Sequence, residues 1–259
     1  MSAVRRTVHP VDGEQLSVYT VGARTETGDP HGVVVLHGAG TGDKERTLPL
    51  AEDFAAHGHP AVAFDFSGHG ESTGALRELS LRRRRDQAAG VIAEVFEPQL
   101  PLVLVGFSMS GQTVADLMEL HGERVAAIVL CAPGIYGPQA WDVPFGGGFT
   151  ELIRQPGSWR TSAALDTYAR FDGRAVLVLP EHDDVIPSGV TSLIGSALAK
   201  RSDFTTLRLP GAGHQLGLWL AGHPEDRQRV VTTALRPHSS GPDGVTGSRA
   251  AGSDAAAIA

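Results

Sequence analysis

Two serines, Ser108 and Ser110, stand in the stretch GFSMSG, which follows the apolar run PLVLV and opens a segment with helical spacing. A serine on a sharp turn between a buried strand and a helix is held clear of the sheet, where its hydroxyl can attack a carbonyl carbon. Backbone crowding at such a turn requires small residues two positions before and two after the nucleophile. Centred on Ser108 those positions are Gly106 and Ser110, both small; centred on Ser110 they are Ser108 and Gln112, and Gln112 is too large. Ser108 is therefore the candidate nucleophile, and Ser110 fills a slot usually given to glycine.

A serine hydroxyl is a weak nucleophile at pH 7. It needs an imidazole to take its proton and a carboxylate to orient that imidazole. On a strand–turn–helix scaffold these partners follow in the chain order serine, acid, histidine. PEHDDVIP offers Glu181, Asp183 and Asp184 after the apolar run AVLVLP, and LPGAGHQLG places His214 in a glycine-flanked loop. Asp183 and Asp184 are adjacent, so in an extended loop they point in opposite directions and one of them can reach the imidazole. His37 and His69 precede the serine and His223 falls in the final helical segment; these read as structural or solvated, and His182 is given no role. The oxyanion of a tetrahedral intermediate also needs donors. The backbone N–H of Met109 lies just after Ser108, at the positive end of the next helix. Ala39, in the glycine-rich HGAGTG, is the best second donor, since its side chain adds little bulk.

The elements that must hold these residues read as alternating strands and helices. VRRTVHP and QLSVYTVG flank Asp12-Gly13, a hairpin signal. Six short, nearly unbroken apolar runs follow, at residues 33–38, 61–68, 101–106, 125–131, 175–180 and 204–210. Runs apolar on both faces are strands of a parallel sheet covered by helices. Helix-length segments lie between them, at about 44–58, 78–97, 109–121, 188–201 and 219–235. The pattern predicts a mostly parallel, doubly wound α/β sheet of about eight strands with an N-terminal antiparallel hairpin. In open sheets of this kind ligands sit beyond the carboxyl ends of the strands, where Ser108, the acidic loop and His214 all fall. The stretch 133–172 is too long for a plain connection and reads as a lid insertion. Its aromatics, Trp141, Phe145, Phe149 and Trp159, are read as packing the lid or lining an acyl pocket, the pocket being preferred. Residues 1–236 are expected to form the domain, and 237–259, rich in Gly, Ser and Ala, a disordered tail.

LHGAG, FDFSGHGES, GFSMSG, EHDDVIP and GAGH together resemble the α/β-hydrolase superfamily, within it the serine aminopeptidase-like, monoglyceride lipase and feruloyl esterase branch. The resemblance spans roughly residues 33–235 and implies an α/β-hydrolase fold. It implies Ser108 as nucleophile, His214 as base and Asp183 as the orienting acid, four residues before the loop proline, here Pro187. It also implies Ala39 and Met109 as the oxyanion hole, with residues 65–72 as a supporting loop. Ala39 stands where many esterases of the branch carry an aromatic residue, so their substrate preferences do not transfer.

The remaining features set limits. Net charge −7 and a single cysteine, Cys131, in 259 residues exclude a disulfide framework and argue against nucleic acid as a partner. The lone thiol suits a reducing cytoplasm, the expected location, and no signal peptide or membrane span is read. RRRR at 82–85 falls in a helix and reads as a solvated face. No His/Cys/Asp cluster has metal spacing and HGAGTGDKE lacks the Lys-Ser/Thr ending of a phosphate loop, so no metal and no cofactor are expected. Oligomeric state is left unassigned. The expected activity is hydrolysis of small-molecule acyl esters through an acyl-enzyme. The alternatives are a thioesterase or acyltransferase acting on carrier- or CoA-bound acyl groups, and a non-catalytic ligand-binding protein on the same fold.

Overall fold

A computed structural model describes residues 3–22 and 29–236. The expected tail at 237–259 lies outside the described residues. Eight strands form one sheet in the order β1-β2-β4-β3-β5-β6-β7-β8. β1 (Val4–Val11) and β2 (Glu14–Val21) make the antiparallel hairpin; Asp12 and Gly13 turn it with φ of 53° and 76°, the paired left-handed geometry that matches strand twist. β2 runs antiparallel to β4 (Ala61–Phe64). From there β3 (Gly32–Leu36), β5 (Leu102–Phe107), β6 (Val125–Cys131), β7 (Arg174–Pro180) and β8 (Asp203–Leu209) continue in parallel.

Alternation along the central strands divides two cores. Val34 and Leu36 of β3 and Leu102 and Leu104 of β5 face one side of the sheet. There they meet α2 (Leu81–Val95), α3 (Ser110–His121), α5 (Ala164–Arg170) and α6 (Ser188–Leu198). Val33, Val35, Val103 and Val105 face the other side, against α1 (Lys44–Ala56), α7 (Leu216–Gly222) and α8 (Pro224–Ala234). The strands are thus buried on both faces, as their near-continuous apolar runs predict. Asp43 and Ser80 cap α1 and α2 by accepting from the N–H groups of Arg46 (3.0 Å) and Arg83 (3.2 Å).

Two expectations are corrected. The segment 219–235 is not one helix but α7 and α8, broken where His223 takes φ −125° and ψ 83° ahead of Pro224. A proline crowds the residue before it out of helical geometry but is well placed as the first residue of the next helix. RRRR is not a uniformly solvated face. Arg82, Arg83 and Arg85 pair with Asp142, Asp12 and Asp86, while Arg84 is fully buried. Helical phase turns Arg84 inward with Leu81, Ala88 and Val91.

The connection between β6 and β7 folds into short helical turns and α4 (Thr150–Ile153) before reaching α5. Gln112 ties it to α3, its amide oxygen accepting from Tyr136 N (3.0 Å) and Ser162 Oγ (3.1 Å). Tyr168 Oη donates to the Gly111 carbonyl at 2.5 Å. Among the described residues no helix is long and apolar enough to cross a membrane.

Candidate active site

Ser108 occupies the turn between β5 and α3 with φ 49°. A non-glycine residue in the left-handed region costs about 1–2 kcal/mol and persists only where its surroundings fix it. Here the Ser108 N–H donates to the Cys131 carbonyl at 2.8 Å, and its own carbonyl accepts from Gly111 N (2.9 Å) and Gly134 N (2.8 Å). The need for small neighbours is directly visible. A Cβ on Gly106 would lie 2.7 Å from the Ser110 carbonyl oxygen and from Val114 Cγ2.

The loops after β7 and β8 bring the acid and the imidazole to the same edge. His214 Nε2 lies 3.0 Å from Ser108 Oγ, and its Nδ1 lies 3.0 Å from both Oδ1 and Oδ2 of Asp183. Asp183 Oδ1 accepts from the N–H groups of Val185 (2.9 Å) and Ile186 (2.8 Å), so the acidic loop wraps its own carboxylate. Those partners require Nδ1–H on His214, leaving Nε2 free to accept the serine proton. Glu181 is drawn away, accepting from Gly211 N at 2.6 Å, and Asp184 is exposed with no hydrogen bond among the described residues.

The loop after β3 packs directly on the serine: a Cβ on Gly38 would sit 3.1 Å from Ser108 Cβ. Ala39, Ser108 and Met109 line one cavity, and neither the Ala39 nor the Met109 N–H is taken up by a hydrogen bond among the described residues. His37 is buried beneath this loop, with Nδ1 donating to the Gly38 carbonyl (2.6 Å) and Nε2 accepting from Phe66 N (3.2 Å). Burial, and then the Arg84 cation, hold it neutral, its pKa well below the usual imidazole value. The supporting loop 65–72 is fastened by Asp65, which accepts from Lys44 N (2.8 Å) and Lys44 Nζ (2.7 Å), both side chains buried. Lys44 leads into α1, so this pair locks the loops after β3 and β4 together.

Two clefts meet at Ser108. The larger, about 1150 Å³, runs under the β6–β7 connection past Tyr136, Phe145, Phe149, Ile153 and Trp159. The smaller, about 350 Å³, runs past Thr41, Arg46, His214 and Leu218. Val185 sits on the seam and lines both. Trp141 departs from expectation: it faces a separate small cavity with Asp116, whose buried carboxyl is pushed up to about 7. Arg77 and Arg154, unremarked in the sequence, stand exposed on the wall of the larger cleft with no ion-pair partner among the described residues. Neither has a sequence signal, because the turns that place them are irregular.

Comparison with known proteins agrees with this architecture. Residues 28–210 match the family described as serine aminopeptidase, S33. A monoacylglycerol lipase from Mycolicibacterium smegmatis is 34% identical over 110 residues, 41% of this chain and 39% of that protein. The mitochondrial palmitoyl-protein thioesterase ABHD10 of Bos taurus is 29% identical over 92 residues, 36% of this chain and 29% of that protein. The chain thus matches well under half the length of these curated relatives. The thioesterase domain from the curacin biosynthetic pathway is similar in fold, with TM-score 0.67 and 16% identity, covering 89% of this chain and 99% of that domain. With the family match running through most of the sheet and the eight-stranded hydrolase topology beneath it, the chain belongs to the serine aminopeptidase S33 family of α/β hydrolases.

Proposed function

We propose that this protein is a serine hydrolase that cleaves carboxylic esters of a medium-sized apolar or aromatic acyl group. The observation that carries the reading is the relay of two 3.0 Å contacts, Ser108 to His214 and His214 to Asp183, at the floor of an apolar cleft of about 1150 Å³. That volume exceeds the roughly 300–1,000 Å³ usual for small-molecule sites.

In this reading His214 Nε2 takes the Ser108 proton as Oγ attacks the ester carbonyl. The carbonyl oxygen becomes an oxyanion held by the N–H groups of Ala39 and Met109, the latter at the positive end of α3. Collapse breaks the C–O bond, and the proton on His214 goes to the departing alcohol. Water then repeats the sequence on the acyl-enzyme and releases the acid. Asp183 accepts from Nδ1–H throughout and fixes that tautomer. The acyl chain lies in the larger cleft, and the alcohol leaves through the smaller one.

A second reading has its own support. Arg77 and Arg154 on the cleft wall suit the phosphate of a pantetheine thioester, which points to a thioesterase with the same chemistry and a thiol leaving group. The test is kcat/KM on paired oxyesters and pantetheine or CoA thioesters of equal acyl length, from four to sixteen carbons. The ester reading expects oxyesters to lead at every length. Thioesters ahead by tenfold would favour the second reading, and no turnover of either would overturn both and leave a binding protein.

A further inference from the structure

Arg84 is buried without a countercharge. Its three arginine neighbours pair with carboxylates at the surface, whereas Arg84 has no accessible surface and no ion pair among the described residues. Its Nη2 donates to the His37 carbonyl and to Ser110 Oγ, each at 2.7 Å, and its guanidinium lies 3.8 Å from the centre of the Phe66 ring. Nε and Nη1 have no hydrogen-bond partner among the described residues. The ionisable groups facing it are His37 from the loop after β3, His69 from the loop after β4, and Tyr136 from the β6–β7 connection. None is an anion at neutral pH. A buried cation left unpaired is strongly destabilising, so stability alone gives no reason for its presence.

Its contacts supply one. The His37 carbonyl immediately precedes Gly38-Ala39, and Ser110 immediately follows Ser108-Met109. Ser110 Oγ also donates to the His37 carbonyl at 2.7 Å, closing a three-membered set of hydrogen bonds. One guanidinium therefore joins the two segments that carry the two oxyanion donors. Ser110, standing where glycine is usual, provides the hydroxyl that completes the clamp.

We propose that Arg84 is a positioning residue for acyl transfer: with Ser110 it holds the two halves of the oxyanion hole in register and presents a buried positive field whose countercharge is the oxyanion itself. This inference rests on the assignment of Ser108 as nucleophile. The negative charge exists at the tetrahedral stage and not in the bound ester, so the field stabilises the transition state over the ground state. Burial brings the guanidinium down to about 9, so it remains a cation at neutral pH.

The test compares Arg84→Met and Arg84→Lys with the wild type in kcat, KM, melting temperature and pH profile on one activated ester. Removing a direct oxyanion donor typically costs about 10²–10³ in kcat. Arg84 acts one bond further back, so Arg84→Met is expected to lose about 10- to 100-fold in kcat. KM should stay within about threefold, and the melting temperature should be unchanged or raised because an unpaired buried charge has gone. Arg84→Lys restores the charge and is expected to recover most of kcat. An amine desolvated in the same place titrates lower than a guanidinium, so the alkaline fall in kcat moves down by at least one pH unit. Arg84→Met with kcat within threefold of wild type overturns the proposal. So does a kcat loss that follows a falling melting temperature equally in both variants. Should Arg84→Met fail to fold, an unmoved alkaline limb in Arg84→Lys overturns it. Fluorophosphonate labelling of wild type at Ser108 separates the two ideas: no labelling overturns both, and labelling with an indifferent Arg84→Met overturns this one alone.

Discussion

Exchanging Asp183 for asparagine keeps the side chain's shape while removing its charge, and the loop dictates how the amide must sit. Oδ1 receives the Val185 and Ile186 N–H groups at 2.9 and 2.8 Å, so the asparagine carbonyl oxygen is fixed there. Its NH₂ is then turned to His214 Nδ1, at the position of the 3.0 Å partner Oδ2. A donor in that place competes with the amide oxygen, also 3.0 Å from Nδ1, and shifts the ring proton toward Nε2, which then donates to Ser108 Oγ instead of accepting from it. The wrong tautomer costs up to about 10⁴ in kcat, or about 5.5 kcal/mol of barrier at about 1.4 kcal/mol per decade. Because both loop hydrogen bonds survive, the melting temperature should change little. Asp184→Asn, at an exposed side chain with no hydrogen bond among the described residues, is expected to lose less than about tenfold, or about 1.4 kcal/mol. The assay is kcat for both variants on one good ester, with circular dichroism to verify folding. A crippled Asp184→Asn, or a folded Asp183→Asn within tenfold of wild type, refutes the reasoning.

Two further perturbations probe packing and pH. Gly106→Ala forces a methyl to 2.7 Å from the Ser110 carbonyl and Val114, and is expected to destabilise by about 1–3 kcal/mol, lowering the melting temperature by several degrees. Gly147→Ala, whose Cβ would meet nothing closer than 3.5 Å, is the control and should be near neutral. The buried Asp116 carboxyl titrates in the folded state at about 7, chiefly because of desolvation, and near 4 when unfolded. The folded state therefore holds the extra proton between those values, and stability falls as pH rises from about 4 to about 7. Asp116→Asn removes that decline, so denaturant titrations at pH 8 should show the variant more stable by up to about 4 kcal/mol. A variant with the wild-type pH slope would contradict this.

What the sequence makes legible here is what local pattern controls. Unbroken apolar runs mark strands covered on both faces, and Asp12-Gly13 marks a hairpin because few other pairs tolerate left-handed geometry in succession. Small residues at 106 and 110 single out Ser108 because backbone crowding acts over two residues. The chain order of acid and histidine, with a parallel sheet, then brings Asp183 and His214 to the same edge. What stays hidden depends on three-dimensional neighbours. Four consecutive arginines look alike as letters, yet helical phase sends Arg84 inward and leaves the other three at the surface. Pro224 looks tolerable near a helix end, and the break it makes shows when the backbone of His223 is followed. Gln112, too large to flank a nucleophile, anchors the β6–β7 connection through contacts 24 and 50 residues away in the chain. Arg77 and Arg154 reach the cleft through irregular turns that have no periodicity to read.

The central claim is that Ser108 Oγ is the nucleophile, and covalent capture tests it most directly. Wild type, Ser108→Ala and Ser110→Ala are each treated with a fluorophosphonate, then digested and mapped by mass spectrometry, with ester turnover measured in parallel. The account predicts one adduct on wild type, located at Ser108, and a labelled Ser110→Ala. It predicts no adduct on Ser108→Ala, with kcat reduced by about 10⁶, the usual cost of removing such a serine. An adduct that persists in Ser108→Ala, or that maps to Ser110, would contradict it.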